Sequence, residues 1–299
     1  MNAYYLNIIV ATSINIILAL SLNLVTGYTG QLSLGHAAFM SIGAFTSGIL
    51  MVNAGMHFLP AILFGALMAG LFGLLIGIPT LRLRGDYLAI ATLGFGEIIR
   101  VVFLDLEITG GTMGLRGIPR QSQEVILIVM IVGVLLCFLS MRRLTQSRVG
   151  RALIAIREDE IAAEAMGVNT TRYKVVAFAV GAVFAGLAGG FYTIFYRYIN
   201  PASFGFLRSI EILCMVVLGG MGNHVGAVVG ASVLTIVPEV LRAASEYRQI
   251  FYGILLVVMM IVRPQGLISS DSGRQFFRKN TQVKSAAAEV TALLEDDSS

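Results

Sequence analysis

The chain has 299 residues and a formal net charge of +4, with 57% hydrophobic and only 13% charged residues and a mean hydropathy of +0.83. A soluble domain carries about 25% charged residues, so there is too little polar surface here to cover a water-soluble globule, and lipid must be the solvent for most of it. The two cysteines, Cys137 and Cys214, lie in apolar runs and form no disulfide framework, so they carry no information about redox compartment.

Met1-Asn2-Ala3-Tyr4-Tyr5 runs directly into apolar sequence without a basic leader or small-residue cleavage site, which predicts a retained first helix. A spanning helix needs about 20 mainly apolar residues. Such runs occur at 4–25, 31–53, 58–79, 86–104, 123–141, 173–196, 207–221, 224–241 and 248–263. The expected fold is therefore all-α, a polytopic bundle of eight to ten spans. The stretches 26–36 and 207–224 are interrupted by Gly and are expected to contain half-helices. Three Gly pairs, Gly73/Gly77, Gly186/Gly190 and Gly226/Gly230, have GxxxG spacing, which lets helix backbones approach closely in lipid. Trp is absent, so an interfacial aromatic belt would rest on Tyr4, Tyr5, Tyr196 and Tyr198.

Of the 21 basic residues, 14 fall in three places. Arg82 and Arg84 follow the third span. Arg142, Arg143, Arg148, Arg151, Arg157, Arg172 and Lys174 fill a long polar segment. Arg263, Arg274, Arg278, Lys279 and Lys284 lie at and beyond the last span. Placing all three in the cytoplasm, where Lys and Arg concentrate, lets the intervening spans alternate and puts 105–122, 197–206 and the N-terminus outside. Residues 1–268 read as a transmembrane domain with a cytoplasmic loop at 142–174. Residues 269–299 form a polar tail ending Glu295-Asp296-Asp297-Ser298-Ser299, expected to be disordered and cytoplasmic.

Within the loop, Gly150 to Met166 has helical apolar spacing through Leu153, Ile154, Ile156, Ile161, Ala162 and Ala165. This predicts one short amphipathic helix on the membrane surface, presenting Arg157, Glu158, Asp159 and Glu160 outward. Gly167 fits the position after a helix end, where φ > 0 is needed, and Asn169 and Thr170 are natural caps for the next helix.

Ionisable residues inside apolar spans are expensive. Glu97/Arg100, Arg208/Glu211 and Glu239/Arg242 are each three apart, so each pair can meet on one helix face and neutralise itself. His36 is read as a satisfied core histidine, and with His57 and His224 it forms no metal-ligand spacing. No G-x-x-x-x-G-K-[ST] loop occurs, so the chain does not bind ATP by that mechanism. No metal, cofactor, nucleic-acid partner or enzymatic activity is expected of it. Clustered Gly residues break helices, and broken backbone at membrane depth lines a protein-buried or water-filled site, where transporters commonly place substrate.

Ile161-Ala162-Ala163-Glu164-Ala165-Met166-Gly167 resembles the EAA-type loop of ABC importer permeases, Glu-Ala-Ala, three residues, then Gly. Ala162, Ala163 and Gly167 match, while Ile161 stands at the Glu position and Glu160 is the nearest carboxylate. Gly27-Tyr28-Thr29-Gly30-Gln31-Leu32-Ser33-Leu34-Gly35-His36-Ala37-Ala38-Phe39, Thr109-Gly110-Gly111-Thr112-Met113-Gly114-Leu115, Leu218-Gly219-Gly220-Met221-Gly222-Asn223 and Arg263-Pro264-Gln265-Gly266-Leu267 resemble, in order, motifs of the LivM-type branched-chain amino acid permeases. The resemblance implies an importer of leucine, isoleucine and valine in a bacterial inner membrane, working by alternating access. It also implies a second homologous permease subunit, two cytoplasmic ATP-binding subunits that carry the ATP and Mg, and a periplasmic substrate-binding protein. On this reading Arg157, Glu160, Ala162, Ala163 and Gly167 couple to the ATPases. Gly30, Gln31, Ser33, His36, Glu97, Gly111, Thr112, Gly220 and Asn223 are candidates for the translocation path, either touching substrate or bonding helix to helix. Two other readings stay open: an ion-coupled secondary transporter of amino acids or small amides, with Glu97 or Glu211 as the coupling acid, and a non-transporting membrane scaffold.

Overall fold

A computed structural model describes residues 3–80, 83, 85–240, 253 and 267. Arg82, Arg84, Arg242, the span expected at 248–263, the motif from Arg263 through Gly266 and the tail 269–299 lie outside the described residues. Ten helices of six residues or more follow one another among those described: α1 (Ala3–Leu22), α2 (His36–Asn53), α3 (Phe58–Thr80), α4 (Asp86–Asp105), α5 (Gln123–Gln146), α6 (Arg148–Glu158), α7 (Glu160–Ala165), α8 (Thr170–Tyr196), α9 (Phe206–Gly219) and α10 (His224–Val240), with a π-helical turn, Asn23–Tyr28, continuing α1. Seven helical segments are long and apolar enough to cross a membrane, and α10 supplies a shorter apolar helix. The chain is a polytopic helical bundle.

The bundle is organised by α8, which packs lengthwise against α2 and α3. Small residues set that contact. A side chain at Gly189 would put its Cβ 2.0 Å from Met40 O, and one at Gly43 would stand 2.2 Å from Gly186 O. Two members of the predicted GxxxG pair fill the same role, Gly186 meeting Ala69 and Gly190 meeting Ile62. Across this seam Thr193 Oγ1 donates to Ala44 O at 3.0 Å. Lipid tails provide no hydrophobic drive between helices, so such close backbone approach supplies the dispersion and hydrogen-bond energy instead. Large apolar side chains point the other way: Leu63, Leu67 and Leu75 of α3, Ile98 of α4, and Ile128 and Leu135 of α5 are exposed, a surface matched to hydrocarbon.

The two ends of the bundle differ. Leu6 and Asn7 of α1, Gln123 of α5, and Tyr196 and Arg197 at the end of α8 border one cavity, so the start of the chain lies opposite the end carrying Arg142–Lys174, here termed the basic end. At the far end the Gly-rich loop forms two short 3-10 turns, Glu107–Thr109 and Gly111–Met113. An antiparallel bridge joins Leu115 to Ile199, and Tyr198 Oη donates to Met113 O at 3.2 Å. Gly111 and Thr112 therefore belong to a closed cap of the bundle's far end.

Both predicted interruptions exist. The run expected at 31–53 becomes helical only at His36, and 29–35 is irregular. This segment is held by Leu34 N donating to Thr92 Oγ1 of α4 at 3.0 Å, while Ala37 N, in the first turn of α2, donates to Ser209 Oγ of α9 at 3.3 Å. The span expected at 207–221 stops at Gly219, and residues 220–223 turn before α10 begins.

One expectation is corrected. Gly150–Met166 is two helices, α6 and α7, because Asp159 adopts φ −156°, ψ 110° and its Oδ1 accepts from Ile161 N and Ala162 N. An Asp competes for the backbone in this way and favours a cap over a helix interior. The bend swings Ile161, Ala162 and Ala165, expected to be buried, into the open. Leu153, Ile156 and Ala163 face the bundle.

Candidate functional site

The polar loop and the broken helices meet at the basic end. Arg157 is exposed, as expected, yet its Nη1 also reaches the bundle and donates to Gly27 O, in the π-helical turn, at 2.6 Å. Gly222, in the turn between α9 and α10, lies on the same guanidinium, since a Cβ there would stand 2.7 Å from Arg157 Nη1. Asn23 completes the joint, accepting from Gly222 N at 2.9 Å through Oδ1 and donating to Asn223 O at 3.1 Å through Nδ2. Asn223 in turn caps α10, its Oδ1 accepting from Val225 N at 2.9 Å and Gly226 N at 3.2 Å. One arginine on the surface elbow thus touches both places where membrane helices are broken. Gly30 packs on the stem of the same side chain, 3.3 Å from Arg157 Cγ to an added Cβ.

Nearby, Tyr28 stacks on His224 with ring centroids 4.8 Å apart, and His224 Nε2 shares a 2.9 Å hydrogen bond with Thr145 Oγ1 at the end of α5. This clasp ties α5, the π-helical turn and the start of α10 together. Nothing in sequence spacing pointed to Asn23, Tyr28 or Thr145, because their partners lie far away along the chain.

The elbow itself is anchored and capped. Glu160 Oε1 accepts from the buried Lys174 Nζ at 2.5 Å, so this carboxylate also turns inward rather than outward. Thr170 Oγ1 donates to Glu164 Oε1 at 2.6 Å. Gly167 adopts φ +81°, and Gly167 N and Val168 N donate back to Glu164 O and Ala163 O at 2.9 and 3.0 Å, the paired bonds of a Schellman ending. Asn169 Oδ1 caps α8 from Arg172 N. The open side of α7 and its cap carries an apolar patch beside the exposed Glu164: Ile161 is 70% exposed, Met166 84%, and Ala162 and Ala165 are exposed with them.

The path candidates do not form one site. Gly30, Gly220 and Asn223 gather around the Arg157 joint. Gln31 and Ser33 are buried in the irregular segment, where Gln31 Oε1 and Ser33 Oγ have no hydrogen-bond partner among the described residues. Leaving such atoms unpaired costs about 1–3 kcal/mol each. His36 is buried and shares a 2.7 Å hydrogen bond with Ser21 Oγ of α1, a helix-to-helix contact. Gly111 and Thr112 sit in the far cap. Glu97 lines a separate groove between α4 and α9 with Arg100, Arg208 and Glu211. In it Arg100 Nε donates to Glu97 Oε2 at 2.7 Å and Arg208 Nη1 to Glu211 Oε2 at 2.8 Å.

A bundle of apolar spans, broken where a capped amphipathic elbow contacts them, defines a multi-pass membrane protein. A family model described as the branched-chain amino acid transport system / permease component matches residues 4–262, and the chain belongs to that family. It is 39% identical to the high-affinity branched-chain amino acid transport system permease protein LivM of Escherichia coli K12, over 76% of this chain and 61% of that one. It is 36% identical to the corresponding permease protein LivH of the same organism, over 44% of each chain, and 26% identical to the probable branched-chain amino acid transport permease protein LivM of Methanocaldococcus jannaschii, over 70% of this chain and 67% of that one. The chain thus spans 61% of the length of the Escherichia coli LivM it matches. No solved structure matches it.

Proposed function

We propose that the chain is the membrane-spanning subunit of an ATP-driven importer of leucine, isoleucine and valine in a bacterial inner membrane. It works beside a second, homologous permease subunit, with two cytoplasmic ATP-binding subunits that hold the ATP and Mg, and a periplasmic binding protein that delivers the amino acid. The printed names of the LivM and LivH relatives support the substrate class, and similarity to both supports a paired permease. With the basic end in the cytoplasm, in accord with the bias of Lys and Arg, the N-terminus lies outside and the Gly-rich cap faces the periplasm.

The observation that carries the mechanism is the reach of Arg157 from the elbow to Gly27 O and Gly222. An ATPase subunit grips the apolar face at Ile161 and Met166. Its nucleotide-driven closure shifts α6–α7, and the shift passes through Arg157 to both helix breaks. A ligand or partner biases a conformational equilibrium only by binding its two states differently, and this joint is where elbow position and helix position are made interdependent.

The elbow's stop is the first test. In Gly167→Pro the φ of +81° gives way to one locked near about −65°, and the N–H that reaches Glu164 O is removed. The expected result is normal membrane insertion with ATP hydrolysis uncoupled from leucine uptake, read in proteoliposomes containing the full complex. Wild-type uptake per ATP in this variant would count heavily against the assignment. Accumulation of substrate by the chain alone under an imposed proton gradient, with no ATPase present, would favour an ion-coupled transporter instead.

A further inference from the structure

The groove between α4 and α9 encloses about 310 Å³ and is lined by Glu97, Arg100, Arg208 and Glu211, with Ser203, Phe206 and Leu207 at its margin. It opens in the far half of the bundle, and one of its side chains reaches well inward. Arg208 Nη2 donates to Asn15 Oδ1 at 2.6 Å, and Asn15 stands near the middle of the Tyr4–Tyr28 span, roughly 18 Å from either end at 1.5 Å per residue. The four charges are nonetheless partly open, with side-chain exposures of 31% and 36% for Arg100 and Glu97 and 21% and 35% for Arg208 and Glu211. Charged groups at this depth face a bundle interior or a water-filled cavity rather than lipid.

Self-neutralisation along each helix explains why the charges are tolerated but not how they are arranged. α4 runs away from the basic end and α9 runs toward it. Glu97 precedes Arg100, whereas Arg208 precedes Glu211, so both arginines lie toward the far end of the groove and both glutamates toward the basic end. Arg100 accordingly reaches the turn before α9, its Cδ 3.5 Å from a Cβ built on Gly205. Two ion pairs that served only each other would be more stable in the alternating order, with the two arginines at opposite ends of the groove, because like charges gathered at one end repel. A segregated groove suits a ligand that brings opposite charges to both ends.

We propose that this groove binds the zwitterionic head of an α-amino acid in transit, the carboxylate held by Arg100 and Arg208 and the ammonium by Glu97 and Glu211. The apolar side chain lies along Phe206 and Leu207, which are 40% and 60% exposed. The guanidinium fork suits a carboxylate. The head group is recognised by charge and the side chain only by an open apolar margin, so the groove accepts leucine, isoleucine and valine alike. The proposal rests on the transport function given above.

The test is the paired exchange Glu97→Arg with Arg100→Glu, which keeps the net charge and converts the groove to the alternating order. The complex purified through this chain should retain its subunits and a melting temperature no lower than the unmodified one, while ATP-driven leucine uptake falls by about tenfold or more. Unchanged uptake in the exchanged protein overturns the proposal and leaves the ion pairs a structural role. If the exchange does not assemble, the neutral pair Glu97→Gln with Arg100→Gln decides the matter by the same reading: uptake lost from an assembled complex supports the site, uptake kept overturns it. An unmodified complex that moves no leucine sinks the transport function and this site with it, a result told apart because the native groove fails too.

Discussion

Arg157→Ala is expected to leave the complex assembled and hydrolysing ATP while leucine uptake falls about ten- to a hundredfold. The guanidinium makes a charge-assisted bond to Gly27 O, and such bonds contribute about 1.5–3 kcal/mol. Alanine removes that bond together with the packing against Gly222 and Gly30. The elbow itself should persist, because buried Leu153 and Ile156 hold α6 and Asp159 and Lys174 fix α7 independently. Loss is therefore expected in the ratio of leucine moved to ATP hydrolysed, measured on the same proteoliposomes. Arg157→Lys should recover only part of it, since an ammonium on a four-carbon stem lacks the planar fork that reaches the carbonyl while lying on the Gly222 backbone. An unaltered ratio in the alanine variant would remove Arg157 from the coupling path.

The second large effect is on the bundle itself. Gly189→Val should abolish recovery of folded protein in mild detergent. Even the first added atom would stand 2.0 Å from Met40 O and 2.8 Å from Ala44 N, and both are main-chain atoms that no rotamer change can move aside. α8 must then withdraw from α2 along their shared seam, forfeiting dispersion contacts and the Thr193–Ala44 bond. Overpacking where side chains can adapt costs about 1–3 kcal/mol, and a main-chain collision exceeds that. Gly94→Ala on α4 is the matched control: nothing lies within 4 Å of its added Cβ, and alanine gains about 1 kcal/mol of helix propensity over glycine. The monodisperse fraction on size exclusion should vanish for the first variant and be unchanged for the second. Equal recovery of both would refute the seam as the organiser of the bundle.

Much of this protein was legible from its residues in order. Apolar runs place the described spans to within a few residues, because every backbone group in lipid must be satisfied within its own helix and the required length is set by the bilayer. Gly167, Asn169 and the interruptions near 29–35 and 220–223 were also legible, since positive φ, capping and helix breaking are local properties of one or two residues. Local chemistry misled at Asp159. Its neighbours have helical spacing, but a side chain that can cap will end a helix when the following turn has somewhere else to go, and the turn was turned toward Lys174.

What order along the chain could not decide is which distant atoms share a place. Arg157 is separated from Gly27 by 130 positions and Asn23 from Gly222 by 199, so their joint exists only once the bundle has packed. The same holds for the groove: each ion pair is visible as an i, i+3 spacing, but that both arginines lie toward the same end follows from α4 and α9 running in opposite directions side by side. The sequence determined a membrane bundle, its breaks and its surface elbow, because those follow from solvent and local backbone chemistry. The tertiary structure decided that the elbow meets both breaks at one arginine and toward which end each charge of the groove lies, because direction and adjacency arise only when helices meet.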